Sequence, residues 1–131
     1  MKLTISTKRT GLLPTFNIWV PHSTAPLGKH VRKQYKINYM VSTGSQFVPN
    51  MIKMVYTYQV VMVHNHGSFY SQVYLDKWKE IARRCPQTTF WFLSKSEALD
   101  FSELPSNVRY GGRNPLTCPI DKKCIDCLQC I

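Results

Sequence analysis

The first 75 residues contain no aspartate and no glutamate, although they carry eight lysines and arginines. Residues 76–131 hold all seven acidic groups beside nine basic ones, so the net charge of +10 lies mostly in the first half. A field of one sign attracts phosphates, nucleic acid or an acidic partner such as a host protein, and excludes no fold. No run of 18 apolar residues occurs, which argues against a membrane span. No apolar segment follows Lys2, Lys8 and Arg9, so no secretory signal is expected and the chain is expected to act in the cytoplasm. Internal repeats and low-complexity tracts are absent, and residues 1–84 contain no cysteine.

What is present fits one domain: 131 residues, 44% of them apolar, are enough for a core. Three stretches differ in character: a basic, β-rich half at 1–58, a strand–helix–strand unit at 59–110, and a cysteine-rich tail at 111–131. Lys2–Thr7 and Thr15–Val20 read as strands, and Pro21–His30 as a loop. Tyr35–Ser42 reads as another strand, ended by Thr43-Gly44-Ser45. The apolar run Met51–His64 suits a strand buried on both faces, with 48–53 open to a short helix or turn.

The clearest unit follows. Val60–His64 reads as a strand, and Ser71 as the N-cap of a helix that carries Tyr74, Trp78, Ile81, Ala82 and Cys85 on one face. Pro86 stops that helix, and Thr88–Ser94 is the next strand. Strand, helix, strand in this order predicts a βαβ crossover and a parallel pair. A short helix is expected over Ser96–Phe101 and a last strand over Asn107–Tyr110. The fold class is therefore α/β with a mostly parallel sheet, a truncated relative of a barrel.

Four cysteines close the chain in the pattern Cys118-x5-Cys124-x2-Cys127-x2-Cys130. Two residues between cysteines let neighbouring thiolates reach one metal centre. A CxxCxxC triplet is closer to ferredoxin-type runs than to paired zinc knuckles, so an iron–sulfur cluster of the 4Fe–4S type is the first expectation and zinc the alternative. Cys85, on the apolar helix face, reads as a buried inert residue.

Other candidates are more dispersed. His64, His66 and Ser68 follow a predicted parallel strand and Lys95 follows another, and ligands bind at the C-terminal ends of such strands. The His64-Asn65-His66 triplet is not an HNH nuclease site, which needs separated histidines in a ββα unit. Lys29, Arg32, Lys33 and Lys36, with Lys8 and Arg9, are the candidate nucleic-acid contacts.

The stretch 60–96 resembles the phage family named after gene product eighty-eight. The residues that carry the resemblance are His64, Gly67, Ser68, Phe69, Ser71, Tyr74, Trp78, Ser94, Lys95 and Ser96. They match a His-x-x-Gly-Asp-Phe loop, a Ser-x-x-Tyr-x-x-x-Trp helix and a strand ending in Thr-Lys-Ser. Ser68 stands where that pattern has aspartate. Thr117-Cys118-Pro119 and Cys124-Ile125-Asp126-Cys127 resemble the same family's ending, and the strand–helix plan resembles part of a radical-SAM-type barrel. The resemblance, over residues 58–131, implies a phage protein working in the bacterial host cytoplasm. The leading expectation is a phage metal-binding protein with a structural or redox-sensing cluster. A basic module for nucleic acid or a host protein and a radical-SAM-like enzyme are the alternatives.

Overall fold

The computed structural model describes residues 1–5, 14–21, 23, 26–64, 66–93 and 98–110. Five strands lie in sequence order across one sheet: β1 (Thr4–Ile5), β2 (Pro14–Phe16), β3 (Val60–Val63), β4 (Thr89–Phe92) and β5 (Val108–Tyr110). β1 runs antiparallel to β2, and β2 to β5 are mutually parallel. Helices α1 (Lys29–Ser42) and α2 (Phe47–Val55) connect β2 to β3, and α3 (Gln72–Arg84) connects β3 to β4. The expected α/β class with a mostly parallel sheet holds. The outer strands β1 and β5 do not pair with each other among the described residues, so the sheet is not closed into a barrel.

Period-two alternation decides which side chain enters which layer. Val61, Val63, Phe90 and Phe92 join Phe16 on the face covered by helices. There they meet Phe47, Met51 and Val55 of α2 and Tyr74, Trp78, Ile81 and Ala82 of α3. Met62 and Trp91, from the intervening positions, form a second buried cluster with Val60 and Leu93. Trp78 is fully buried, and Phe16, Phe47, Phe90 and Phe92 surround it at centroid distances of 5.5–6.5 Å. Its truncation to alanine is the type of core change that costs about 3–5 kcal/mol.

α3 is built as its residues predict. The Ser71 side chain accepts a hydrogen bond from the Tyr74 amide, and Arg83 and Arg84 complement the dipole at its last turn. Cys85 is buried at the C-cap, as expected. Asn107 Nδ2 lies within hydrogen-bond distance of the carbonyls of Ala82, Cys85 and Thr88, which ties the helix end to the approach of β5.

The basic half departs from expectation. Tyr35–Ser42 is not a strand but the main part of α1, and Phe47–Val55 is the separate helix α2, so only Val60–Val63 of the long apolar run is strand. The described residues of 1–58 are therefore mostly helical and not β-rich. The physical reason for α1 is a polar anchor. Asn38, fully buried, donates to the carbonyls of Lys2 (3.0 Å) and Asn17 (2.8 Å) and accepts from the Lys2 amide (2.9 Å) and from Gln34 (3.1 Å). Strand alternation would have placed Asn38 with Lys36 on a solvent face, and these bonds would be lost. For α2, the observed helix matches the alternative left open at 48–53, and Pro49 sits in its first turn, where proline is tolerated. β2 is shorter than Thr15–Val20, and described residues 98–101 are not helical.

Candidate functional site

Four parallel strands end on one edge, and the registers Phe16↔Val63, Val63↔Phe92 and Phe92↔Tyr110 align those ends. The chain turns there into Asn17–Val20 after β2 and into His64 and His66 after β3. It leaves β5 at Tyr110, toward the cysteine tail. The cysteines Cys118, Cys124, Cys127 and Cys130, together with Lys95, Lys8 and Arg9, lie outside the described residues.

The two histidines on this edge occupy different surroundings. His64 is buried, adopts a left-handed backbone conformation (φ 70°), and places Nε2 2.7 Å from the Tyr74 hydroxyl. Phe69 meets its ring edge-on at 4.6 Å. Burial, with a smaller push from His66, lowers its pKa to about 3, so its imidazole is neutral at physiological pH. Burial also raises the Tyr74 hydroxyl well above its ordinary value. The Trp78 indole N–H sits near that hydroxyl without reaching hydrogen-bond geometry.

His66 is half-buried and points the other way. Its amide donates to Asn17 Oδ1 (2.7 Å), and its Nδ1 lies 3.1 Å from the Ile18 carbonyl, which can only accept, so Nδ1 carries the proton. The ring stacks on Trp19 at 5.6 Å and 15° and packs against Tyr35. Gly67 allows this loop to touch β2's extension. Its φ is 112°, and a Cβ there would come 2.6 Å from Ile18 Cγ1. Ser68 is half-buried beside it.

The structure brings Lys29, Arg32, Lys33 and Lys36 together. They recur at i, i+3, i+4 and i+7 on α1, all exposed, opposite buried Tyr35, Asn38 and Ser42. No acidic residue stands in the first turn of α1, and no side chain caps its N-terminus at Gly28. The other end of the helix receives its cation from outside: Lys77 Nζ of α3 donates to the carbonyls of Ser42 (2.9 Å) and Gly44 (3.2 Å). Arg32 and Lys36 each lie 5.8 Å from the centre of the Trp19 ring. The Trp19 amide donates to the Tyr35 carbonyl (3.0 Å), and Asn17 Nδ2 donates to the Tyr35 hydroxyl (3.2 Å). An open cleft of about 640 Å³ flanks the same helix, lined by Lys2, Leu3, Thr4, His30, Val31, Gln34 and Tyr35.

The match to the family model for Gene product 88 spans residues 27–126, three-quarters of the chain, from just before α1 through all of the βαβ unit. The chain belongs to this phage protein family. Membership of the Gene product 88 family thus takes in α1 and α2, which the resemblance read from residues 58–131 did not reach. No curated protein matches the chain, no solved structure matches it, and the likeness to radical-SAM-type barrels gains no support. Among the described residues no helix is long and apolar enough to cross a membrane, and no group of three or more His, Cys, Asp or Glu side chains could hold a metal ion. Burial raises the Cys85 thiol above its ordinary value, which disfavours the thiolate a metal would need.

Sequence reasoning passed over Trp19, Asn17, Tyr35 and Asn38. The visible signal was the spacing 29, 32, 33, 36, which is helical and not alternating, directly before a Tyr35/Asn38/Ser42 series of the same period.

Proposed function

We propose that this Gene product 88 family member is a nucleic-acid-binding protein that grips phosphates with the solvent face of α1. The observation that carries the reading is the placement of Lys29, Arg32, Lys33 and Lys36 on one face of that helix, all within its N-terminal stretch 29–36, with no acidic residue among them. Cations near a helix N-terminus oppose the macrodipole and weaken the helix. α3, by contrast, keeps its arginines at the C-terminal end, where the dipole favours them. A face that departs from the local electrostatic rule is a place to look for a function that rewards the departure. Phosphate oxygens meet both needs there, because they pair with the side chains and accept from uncapped amides.

The test is fluorescence anisotropy of labelled DNA against salt concentration. Four phosphate contacts predict a log K versus log salt slope of about −3 to −4. Replacing all four basic residues by alanine should flatten the slope and abolish binding at physiological salt. Absence of binding at low salt, or binding indifferent to salt, sinks the reading.

A second reading is favoured by the spacing of Cys118, Cys124, Cys127 and Cys130: a cysteine-ligated centre, iron–sulfur or zinc, which would couple the order of the tail to metal binding. Such a protein would work in the reducing cytoplasm of an infected cell. Metal and acid-labile sulfide analysis after anaerobic purification tests it. Iron with sulfide supports the cluster, zinc supports a structural clasp, and neither removes the reading.

A further inference from the structure

We propose that Trp19, with Arg32 and Lys36 over its ring, is a base-stacking platform that makes single-stranded nucleic acid the preferred ligand of the α1 face; this rests on the nucleic-acid reading above. Three tryptophans are present, and two are fully enclosed: Trp78 at 0% and Trp91 at 1% exposure. Trp19 is half-buried, at the sheet edge where β2 ends. Neighbouring groups fix its position there. Its amide is bonded to the Tyr35 carbonyl, and the His66 ring stacks at 15° with its own Nδ1 fixed by the Ile18 carbonyl.

The cations on this ring are on α1 and belong to the same row as Lys29 and Lys33. In the free protein they sit at cation–π distance, where the ring quadrupole attracts them weakly because water screens both. A nucleobase offers a larger apolar face to the indole. Its arrival releases Arg32 and Lys36 to the adjoining phosphates, which lie within reach of side chains on the same helix turn. Positive charge following a backbone, next to a rigid aromatic surface, is the combination by which proteins bind single strands without sequence preference. A duplex keeps its bases stacked on one another and presents only phosphates to such a surface, so it meets the cations and not the ring.

The experiment compares an oligothymidylate of about 12 nucleotides with a duplex of the same length. Anisotropy and intrinsic tryptophan fluorescence are read on the full-length protein. The single strand should bind roughly tenfold more tightly and quench the emission, since Trp19 is the accessible tryptophan. Trp19→Ala should lower single-strand affinity roughly tenfold and leave duplex affinity unchanged. Trp19→Phe, which keeps a ring, should retain the affinity and lose the quenching, and it keeps the test valid where the alanine variant does not fold. Equal binding of both forms with no quenching overturns the platform and leaves the phosphate-gripping face standing. Binding of polyglutamate as tight as that of the single strand overturns the platform and assigns α1 to an acidic protein partner. No binding of any of the three at low salt overturns this proposal together with the reading on which it rests.

Discussion

His64 Nε2 and the Tyr74 hydroxyl lie 2.7 Å apart inside the core, joining the end of β3 to the first turn of α3. The imidazole is buried in its neutral form, with its pKa lowered to about 3 from 6.5. In the unfolded chain this histidine takes up a proton below about pH 6.5. The unfolded state therefore binds more protons between pH 6.5 and about 3, and stability falls as pH falls through that window. The expected loss is about 1.4 kcal/mol per pH unit, with no contribution above the window. Urea unfolding at pH 7 and pH 5 measures it. His64→Asn, which tolerates the left-handed backbone, should show a flatter profile.

Tyr74→Phe removes only the hydroxyl from this pair. The variant should keep its fold and lose about 1–3 kcal/mol, because a buried ring nitrogen gives up its bond to Tyr74. A drop in the denaturation midpoint with an unchanged denaturant slope is the expected result. No change would mean that water replaces the hydroxyl.

Asn38 holds α1 to the sheet through two carbonyls and one amide that are distant in sequence. Asn38→Asp keeps the shape but turns a carboxylate oxygen toward the Lys2 and Asn17 carbonyls. It should cost about 2–4 kcal/mol, from two lost bonds and from desolvation of the charge. Thermal unfolding followed by circular dichroism checks this, and a neutral outcome would show that the anchor is redundant.

Gly67→Ala is expected to destabilise by about 2–4 kcal/mol, from the left-handed backbone and from overlap with Ile18. The same change should disturb the stacking of His66 on Trp19, since both lean on the segment that Gly67 approaches. Tryptophan emission of the folded variant reports that disturbance.

Lys29→Glu separates stability from function. A glutamate in the first turn of α1 complements the dipole and can pair with Lys33 one turn on. The variant should be more stable by about 0.3–1 kcal/mol at low salt, and should bind DNA more weakly with a salt slope reduced by about one, since one phosphate contact is lost. Unfolding and anisotropy on one preparation check both signs.

The fold of residues 60–92 is legible in the sequence because their signals are local and agree. Val61 and Val63, and Phe90 and Phe92, alternate along their strands, Tyr74 to Cys85 trace one helical stripe, and Ser71 caps the helix by accepting from the Tyr74 amide. Both levels of pattern point to the same fold. The basic spacing of Lys29, Arg32, Lys33 and Lys36 was equally plain, as was the crowding of cysteines at 118–130.

What could not be read depends on partners far along the chain. Tyr35–Ser42, with its β-branched and aromatic residues, could pass for a strand, and long-range contacts settle it as helix. Asn38 reaches Lys2 and Asn17, and Lys77 supplies the cation that the last turn of α1 lacks. Nothing in the spacing sets Trp19 apart from the other aromatic residues. Its place beside Arg32 and Lys36 exists only once the segment after β2 packs on α1, because ring and cations are brought together by packing and not by spacing. Periodicity tells which residues share a face, and only the docking of elements tells which faces meet.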